Sequence, residues 1–398
     1  MSRPFWILAM VAFWAIFTVG CAVKAPVDSG PESETPEIVV PQAKVEPLTS
    51  VPAPWSELAG QLVAQGLPRD KVTRFFASQE LTYTKAPMEA KLRELFGIFF
   101  RSDLTKDIQE KLYQLGYEVL IDGRNGPGTK KAIQAFQKDH NLNQDGKSGD
   151  VLAAVLAQWV KKAQVRNLAD YKPPAATKPS RSTTYPQFTN PKVLEQIRAH
   201  YARDRALFER MAKVYGTPGP LAASIMWIET GYGNFFGKNK AAVVLASMAA
   251  SENFKLIAPY LGDLASEPGA EDFLREQARQ RGQWARNELA SLLSYAWSNR
   301  LDPILFPGSI YGAIGYGQFM PSNIAKYAVD GDGDGRIDLF EKPDAIFSIG
   351  KFLKAHGWLE AKNEEQRRQV IMRYNKSGTY VNTVLYVARA LDPTFGLD

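Results

Sequence analysis

The chain has 398 residues, of which 45% are hydrophobic and 11% aromatic, so it can form the hydrophobic cores of two or three globular domains. Its 48 lysines and arginines against 42 acidic residues give a net charge of +6, which suits an anionic partner or a membrane surface, but no dense basic run is interleaved with aromatic residues as nucleic-acid binding would require. The single cysteine excludes an intramolecular disulfide and a thiolate metal site.

The first 54 residues read as an export signal and a tether. The apolar run over residues 5–19 is short for a membrane-spanning helix but suits the core of a signal peptide. Cys21 follows Gly20 as the lipidated cysteine of a bacterial lipobox does, although Thr18 departs from the usual leucine. We expect a signal peptide over 1–20, a lipid anchor on Cys21 that holds the chain to the outer membrane in the periplasm, and a disordered tether over 21–54. An ordinary secretory signal or an uncleaved anchor is the alternative.

Residues 55–102 are predicted to form helices. Leu58 and Leu62, then Val72 and Phe76, have the spacing of two amphipathic helices on either side of a Gly-Leu-Pro turn, and the pattern continues to Phe99. The segment is too short to fold alone, so we expect it to pack on a later part of the chain.

Residues 103–158 have the pattern of a separate small unit. Ile108, Leu112 and Leu115 line one helical face, and Ile133 and Phe136 lie on a second helix. The unit resembles the peptidoglycan-binding domain of cell-wall enzymes, a three-helix bundle, through these motifs: Asp122-Gly123, Gly126-Pro127-Gly128-Thr129, Ala132, Phe136-Gln137, Leu142 and Asp145-Gly146. A bare helical spacer is the alternative. A polar, Pro-rich linker is expected over 159–184.

A single carboxylate stands out in the apolar stretch that follows. Pro220 suits the start of a helix and Gly231 its end, and Ile225 and Glu229 fall on one stripe of that helix. Burial and the negative end of the helix dipole would both raise the pKa of Glu229, as a general acid requires. The alternative is a partly buried glutamate paired with an arginine such as Arg300.

A stretch rich in glycine, glutamine and tyrosine, residues 308–321, has the composition of a saccharide cleft. Glycine lets the backbone approach a ligand, Gln318 can bond an acetamido group, and tyrosine rings stack on sugars. A glycine-rich turn buried for packing is the alternative. Nearer the end of the chain, Tyr374 and Asn375 are candidates to line the same cleft, or to cap and pack a final helix.

An acidic loop over residues 330–341 matches the EF-hand calcium pattern. Carboxylates stand at positions 1, 3, 5, 9 and 12, and glycine stands at position 6. The expected ligands are Asp330, Asp332, Asp334, the Arg336 carbonyl, Asp338 through water, and Glu341. Because regulatory sensors usually pair such loops, one loop indicates a structural calcium ion. A solvated acidic turn is the alternative.

Together these stretches resemble the lytic murein transglycosylase B family of lysozyme-like enzymes. The resemblance rests on Ile228-Glu229-Thr230 with Gly233, Gly315-Tyr316-Gly317-Gln318-Phe319-Met320-Pro321, the calcium loop, Asp344-Ala345-Ile346, Lys354 to Trp358 and Tyr374-Asn375. It implies a mainly α-helical, lysozyme-like catalytic domain over 185–398. Residues 55–102 are then its first segment, and the small unit is inserted between the two.

The resemblance also implies a function and a site. The enzyme would cleave the β-1,4 bond between N-acetylmuramic acid and N-acetylglucosamine in peptidoglycan strands, with no catalytic cofactor. Glu229 is the family's single catalytic acid, and Ser309, Tyr316, Gln318, Tyr374 and Asn375 line its saccharide cleft. The muramoyl 6-hydroxyl would attack, giving a 1,6-anhydro product, because no second cleft carboxylate is evident. A lysozyme-type hydrolase and a non-catalytic wall-binding scaffold are the alternatives, and proteins of wall synthesis are conceivable partners.

Overall fold

The computed structural model describes residues 46–173, 184–262, 264–265 and 269–395. Helices form almost all of its regular structure, so the mainly α fold expected from the sequence is confirmed. The expected signal peptide, Cys21 and most of the tether lie outside the described residues. Within those residues, no helix has the length and apolar character needed to cross a membrane.

The first part of the chain forms a group of helices with buried aromatic residues. Trp55 packs on Phe76, with ring centroids 5.8 Å apart, and both side chains are almost completely buried. Pro68 precedes the second helix and Pro87 lies in the first turn of the third, the positions where proline leaves no helical hydrogen bond unmade. The helices are α1 (Ser56–Ala64), α2 (Arg69–Phe76) and α3 (Ala86–Phe99).

The next helices close a small core of their own. Ser102 caps the first of them, since its hydroxyl accepts a hydrogen bond from the Thr105 amide at 3.2 Å. Leu112, Ile133 and Phe136 are fully buried in a hydrophobic cluster confined to this unit. The helices are α4 (Asp103–Gln114), α5 (Pro127–Asp139) and α6 (Asp150–Lys162).

This small unit continues beyond the expected boundary at residue 158. A short 3₁₀ helix, Leu168–Asp170, leads to Tyr171. The Tyr171 hydroxyl accepts a hydrogen bond from the Ile121 amide at 2.9 Å, and its ring meets Tyr113 edge to face. Residues 159–171 therefore pack on the unit, whereas a linker had been expected from residue 159. The polar composition of the segment hid the contact, because a few side chains make it, among them Tyr171 and Arg166, which pairs with Glu118 at 3.0 Å.

The remaining chain forms a larger helical assembly. Two two-residue strands, β1 (Asn239–Lys240) and β2 (Pro307–Gly308), pair antiparallel, and 3₁₀ helices span Phe254–Leu256, Ala258–Tyr260 and Pro303–Leu305. The α-helices are α7 (Pro186–Thr189), α8 (Pro191–Arg203), α9 (Arg205–Tyr215), α10 (Gly219–Thr230), α11 (Ala241–Ala250), α12 (Ala270–Ser298), α13 (Pro321–Tyr327), α14 (Lys342–Ala355), α15 (Glu364–Tyr374) and α16 (Gly378–Leu391).

The first helices share one hydrophobic core with this larger assembly. Helix α3 packs against α11 and α12. Phe100 stacks on Phe96 and also meets Phe273 of α12, with ring centroids 4.4 Å and 5.5 Å away. The Tyr83 hydroxyl lies 3.0 Å from the Ser251 hydroxyl. Residues 46–100 and 184–395 thus bury their apolar side chains together, on either side of the small unit in the sequence.

Candidate active site

Glu229 lies at the carboxyl end of α10, which is buried along nearly its whole length. Every residue of α10 from Gly219 to Ile228 is buried, whereas Glu229 is partly exposed. The sequence had suggested an apolar stripe, but α10 is buried on all sides because other elements surround it. Arg300, the alternative partner considered from the sequence, is exposed just beyond the end of α12.

The backbone after Glu229 turns sharply, and glycine is required there. Gly231 ends α10 in the left-handed conformation with φ of 58°. At Gly233, φ is 89°, and an added Cβ would lie 2.4 Å from the Tyr316 ring. The turn therefore brings Tyr316 of the glycine-rich stretch against the end of α10.

Tyrosines from three other segments surround the carboxylate. The Tyr380 hydroxyl, at the start of α16, donates a hydrogen bond of 2.8 Å to Glu229 Oε1. The Tyr374 hydroxyl, at the end of α15, donates to the Gly317 carbonyl at 2.5 Å. The Tyr185 hydroxyl lies 3.3 Å from the Ser377 hydroxyl. Three phenols are thus arranged around one glutamate by elements that are distant in sequence.

These phenols remain neutral donors at physiological pH. Burial raises the pKa of Tyr380 and of Tyr374 well above the usual tyrosine value, and the Glu229 carboxylate raises both further. Burial likewise raises the pKa of Tyr185, opposed by its hydrogen bond to Ser377 and reinforced by Glu229. A neutral phenol can orient a carboxyl group by donating to it without competing for its proton.

The glycine-rich stretch is fastened to the end of α10. The Thr230 hydroxyl lies 3.1 Å from the carbonyls of both Met226 and Tyr316. It also accepts a hydrogen bond from the Gly233 amide at 3.1 Å. Because Thr230 follows Glu229 directly, these bonds fix the stretch next to the carboxylate.

The expected cleft residues divide into those that hold the loop and those that are available to a ligand. The Gln318 amide nitrogen bonds to the Phe236 and Gly315 carbonyls, at 3.3 Å and 3.1 Å, so its N–H groups support the loop itself. The Ser309 hydroxyl oxygen accepts the amides of Tyr311 and Ala313; its own hydrogen is not used in these bonds. Tyr316 and Asn375 are partly exposed.

The acidic loop brings three carboxylates together. Oxygens of Asp330, Asp332 and Asp344 lie within 4.8 Å of one another. The sequence pattern had pointed to Glu341 as the last ligand, but Glu341 is exposed at the start of α14, and Asp344, three residues later, is the buried carboxylate that faces the loop. Asp334 and Arg336 lie between Asp332 and Glu341 in the loop. The Asp338 carboxylate accepts a hydrogen bond from the Phe340 amide at 2.9 Å.

The carboxylates at this loop perturb one another's pKa values. The pKa of Asp344 is raised to about 6, chiefly by burial and also by the charges of Asp332 and Asp330, against the hydrogen bonds from the Gly331 and Asp338 amides. Hydrogen bonds from the Gly335 amide and its neighbours lower the pKa of Asp330. Converging carboxylate oxygens with backbone carbonyls nearby are the ligands that calcium prefers.

The acidic loop also contacts the candidate cleft. The Tyr316 amide donates to the Leu339 carbonyl at 3.0 Å, and the Tyr295 hydroxyl of α12 accepts the Leu339 amide at 3.1 Å. An ion in the acidic loop would thus restrain the backbone that carries Tyr316.

Three residues of this arrangement were not identified from the sequence, namely Tyr380, Tyr185 and Asp344. Asp344 stood inside a stretch used for the family resemblance, so that motif was the available signal, whereas Tyr380 lay outside those stretches. Tyr185 had no local signal, because only the fold brings its segment beside α16.

Comparisons by sequence found a matching family and a similar protein. Residues 128–368 match the family described as the transglycosylase SLT domain, a range that begins inside the small unit. The chain is 28% identical over 246 residues to membrane-bound lytic murein transglycosylase B of Escherichia coli (strain K12), and the match covers 60% of each chain. The chain therefore aligns with less than two thirds of that relative.

Solved structures of similar chains were also found. One is the soluble lytic transglycosylase SltB1 from Pseudomonas aeruginosa, with 21% identity, a TM-score of 0.43 and coverage of 67% of this chain and 99% of that chain. Another is SltB3 from the same organism in complex with NAG-NAM-pentapeptide, with 16% identity, a TM-score of 0.47 and coverage of 86% and 79%.

Proposed function

Because the chain belongs to the transglycosylase SLT family, we propose that it is a lytic transglycosylase that cleaves the β-1,4 bond between N-acetylmuramic acid and N-acetylglucosamine in peptidoglycan. The observation that carries the proposal is the single carboxylate of Glu229 at the end of a buried helix, bonded by Tyr380 and adjoining the Gly-Tyr-Gly-Gln loop through Thr230.

Glu229 acts first as an acid. In its protonated form it donates its proton to the glycosidic oxygen, and the bond from that oxygen to C1 of muramic acid breaks. The positive charge that develops at C1 is stabilised by the carbonyl oxygen of the substrate's own acetamido group, which replaces the second carboxylate of most glycosidases. The N-acetylglucosamine product leaves with its new hydroxyl.

Glu229 then acts as a base. Its carboxylate takes the proton of the muramoyl 6-hydroxyl, and that oxygen bonds to C1 to close the 1,6-anhydro ring. The attack is intramolecular, so it has a large effective concentration compared with water. Tyr380 holds the carboxyl group in one orientation through both proton transfers.

The test is replacement of Glu229 by glutamine, followed by mass spectrometry of products from purified peptidoglycan. Wild-type protein should release fragments that end in 1,6-anhydro-N-acetylmuramic acid. Glu229→Gln keeps the shape but cannot donate a proton, so turnover should fall at least about a thousandfold. Glu209→Gln, an exposed glutamate on α9, is the control and should keep its activity.

Other products would assign another function. Muramic acid with a free reducing end would indicate a lysozyme-type hydrolase, and no cleavage by wild-type protein would indicate a wall-binding scaffold. Full activity of Glu229→Gln would place catalysis on a different residue.

We further propose that a structural calcium ion occupies the acidic loop. Asp330, Asp332 and Asp344 would supply its carboxylates, with Asp334 and the Arg336 carbonyl completing the oxygen ligands. Support comes from the convergence of the three aspartates and from the repulsion that they would otherwise experience. The ion would stabilise the loop and take no part in the chemistry.

The small unit is proposed to bind the wall and thereby hold the enzyme near its substrate. Its separate hydrophobic core supports the idea that it folds independently. Replacing residues 103–173 with a flexible Gly/Ser linker should leave a folded, active enzyme that co-sediments less with insoluble peptidoglycan. Undiminished co-sedimentation would assign wall binding to the larger assembly.

Anchoring at the outer membrane through a lipid on Cys21 completes the proposal. The E. coli relative is named membrane-bound, and the lipobox-like sequence offers a means of attachment. Cys21→Ser should move the chain from the membrane fraction to the soluble periplasmic fraction. A Cys21→Ser chain that is processed but stays in the membrane fraction would contradict the anchor.

A further inference from the structure

Tyr232 lies in the turn directly after Glu229, in a backbone conformation that is unfavourable for its residue type. Its φ is 63°, in the left-handed region that residues with large side chains rarely adopt. The Tyr232 amide donates to the Met226 carbonyl at 3.4 Å. The Gly231 amide donates to the Trp227 carbonyl at 2.7 Å, so the two bonds together cap the end of α10. The conformation of Tyr232 therefore sets the path of the chain next to Glu229.

The Tyr232 side chain is enclosed by groups from three helices. It is 4% exposed, and its ring centroid lies 4.9 Å from that of His200 and 6.4 Å from that of Phe208. The Lys342 ammonium lies 5.3 Å from the centroid of the same ring, within the distance at which a cation is attracted to an aromatic face. Helices α8, α9 and α14 thus meet on one tyrosine.

Lys342 is held beside this ring by an ion pair. Its ammonium lies 2.7 Å from a carboxylate oxygen of Asp204, and the two side chains are 27% and 16% exposed. Solvent screens such a pair less than it screens a fully exposed one. Burial alone would raise the pKa of Asp204, but the hydrogen bonds from Lys342 and Arg203 lower it overall. The Asp204 carboxylate therefore stays charged at neutral pH.

The ion pair joins two helices that both pack on the helix of Glu229. Asp204 directly precedes α9, and Lys342 is the first residue of α14. Helices α9 and α14 pack on each other and on α10. A partly buried ion pair often adds little net stability, but a fixed donor and acceptor restrict how the two helices and the Tyr232 ring are arranged.

We propose that Lys342 and Asp204 are positioning residues for catalysis. Their ion pair holds the Tyr232 ring, and through it the turn that keeps the Glu229 carboxyl in the orientation bonded by Tyr380. This inference rests on the proposed function, since the orientation of Glu229 matters for a rate only if the chain cleaves peptidoglycan. Without the pair, the left-handed turn can relax, and the carboxyl then spends less time aligned with the glycosidic oxygen. A misplacement of about 1 Å is enough to lower a rate up to about a hundredfold.

The test uses variants of the full chain that break or restore the ion pair. Lys342→Gln and Asp204→Asn each remove one charge and keep a hydrogen-bonding side chain. Lys342→Arg keeps the positive charge and can still pair with Asp204. Arg205→Gln, which breaks an exposed ion pair with Glu209 on α9, is the matched control. All samples contain millimolar calcium, so that the acidic loop before Lys342 is in the same state in each.

The first measurement is steady-state cleavage of purified peptidoglycan. In Lys342→Gln and in Asp204→Asn, kcat should fall roughly tenfold with little change in KM, because the groups that bind the glycan are unaltered. The double variant should lose no more than either single variant, since both break the same pair. Lys342→Arg and Arg205→Gln should stay close to the wild type. Unchanged kcat in the two single variants, additive losses in the double variant, a loss confined to KM, or failure of Lys342→Arg to preserve kcat overturns the proposal.

The second measurement does not depend on catalysis. Hydrogen exchange, followed by mass spectrometry, reports on the amides of residues 231–233, which are hydrogen-bonded within the turn. These amides should exchange roughly tenfold faster in Lys342→Gln than in the wild type, and Lys342→Arg should restore the slow exchange. The first helices, α1–α3, should exchange at the wild-type rate. Unchanged exchange in the turn overturns the proposal, and so does an equal rise in α1–α3, which would show a general loss of stability.

The two measurements also separate this inference from the proposed function. If the wild-type chain cleaves no glycan but exchange in the turn responds to the variants as expected, the proposed function fails and the ion pair is still what holds the turn. If the wild-type chain cleaves glycan and neither kcat nor exchange responds to the variants, the proposed function stands and the positioning role is overturned.

Discussion

At the scale of single residues, the site depends on one carboxylate whose orientation is set by a buried phenol. Glu229 could be picked out from the sequence because its motif matches the family's, whereas the apolar helix alone also suits a glutamate paired with an arginine. Tyr380 could not, because a tyrosine in a helical pattern is normally a packing residue. Its significance comes from the hydrogen bond to Glu229, which requires two helices that are 150 residues apart in sequence to meet.

Removing the Tyr380 hydroxyl should reduce catalysis without unfolding the chain. Tyr380→Phe keeps the buried ring and loses one hydrogen bond to an ionisable group, a loss of about 1.5–3 kcal/mol. The expected result is a fall in kcat of roughly 10- to 100-fold with little change in KM. Steady-state digestion of peptidoglycan measures both, and Tyr215→Phe on α9 is the control. A kcat equal to that of the wild type would show that the bond to Glu229 has no catalytic role.

At the scale of elements, the acidic loop illustrates how far a motif can be read. The EF-hand spacing predicted Asp330 and Asp332 as ligands, and their carboxylates do converge with a third. The spacing also predicted Glu341, which assumes a fixed loop length. Here α14 begins at Lys342, and the carboxylate that turns back to the loop is Asp344 on its first turn. Sequence alone cannot show this, because Glu341 and Asp344 are both acidic and only the backbone path separates them.

Calcium should raise the melting temperature of the wild-type chain, because a ligand that binds only the folded state stabilises it, by about 2.7 kcal/mol at a hundred times its dissociation constant. In Asp344→Asn, the melting temperatures measured in chelator and in millimolar calcium should be nearly equal. Glu341→Gln should retain the difference between the two. Thermal melts of the three proteins decide between the two residues, and loss of the calcium effect in Glu341→Gln alone would restore the ligand set expected from the sequence.

Another element-scale feature is a buried carboxylate that caps a helix. Glu288 of α12 accepts hydrogen bonds from the Ser322 amide and hydroxyl, both at 2.8 Å, at the start of α13. Burial raises the pKa of Glu288, against the effect of the two Ser322 bonds. Because the pKa of Glu288 is higher in the folded state than in the unfolded state, protonation of Glu288 stabilises the folded state. This stabilisation is complete below the unfolded-state pKa. It is lost as the pH rises through the folded-state pKa.

Glu288→Gln should therefore gain stability relative to wild-type protein as pH rises from 4 to 8, because glutamine stays neutral at the same position. Thermal melts across this range measure the difference. Glu276→Gln is the control with the opposite sign, since its bonds to Arg279 lower the pKa of the exposed Glu276 to about 2. If the difference in melting temperature between Glu288→Gln and wild-type protein does not vary with pH, the buried carboxyl does not titrate in this range.

At the scale of the whole molecule, the described residues form two hydrophobic cores. The larger core is built from segments that lie before and after the smaller one in the sequence. The helices around Leu92 and Ile133 could be predicted from periodicity, since apolar side chains recur there at helical spacing. Helices such as α11 and α12 were not predicted in this way. The partners of α1–α3 could be inferred only from the family resemblance. No local pattern states that Phe100 will meet Phe273, because that contact depends on the path of the intervening chain.

Mutations in the two cores should have separate effects. Leu92 and Ile133 are both fully buried, one in each core, and replacement by alanine should cost about 2–5 kcal/mol in either case. Calorimetry should show that Leu92→Ala lowers the melting temperature of the larger assembly and that Ile133→Ala lowers that of the small unit. A single transition displaced by both variants would mean that the two cores unfold together.

The discontinuous core has a consequence for the order in which the chain can fold. When the chain is made from its amino terminus, every residue of the small core is present once Leu156 has been added. Helices α1–α3, made earlier, meet α11 and α12 only when Ser298 has followed, about 200 residues after Phe99. Until then their aromatic faces have no native partner, and such surfaces aggregate. We therefore expect this segment to need a holding chaperone while the rest of the chain is made. We also expect refolding from denaturant to be slow, because the contacts of this segment are so distant in sequence.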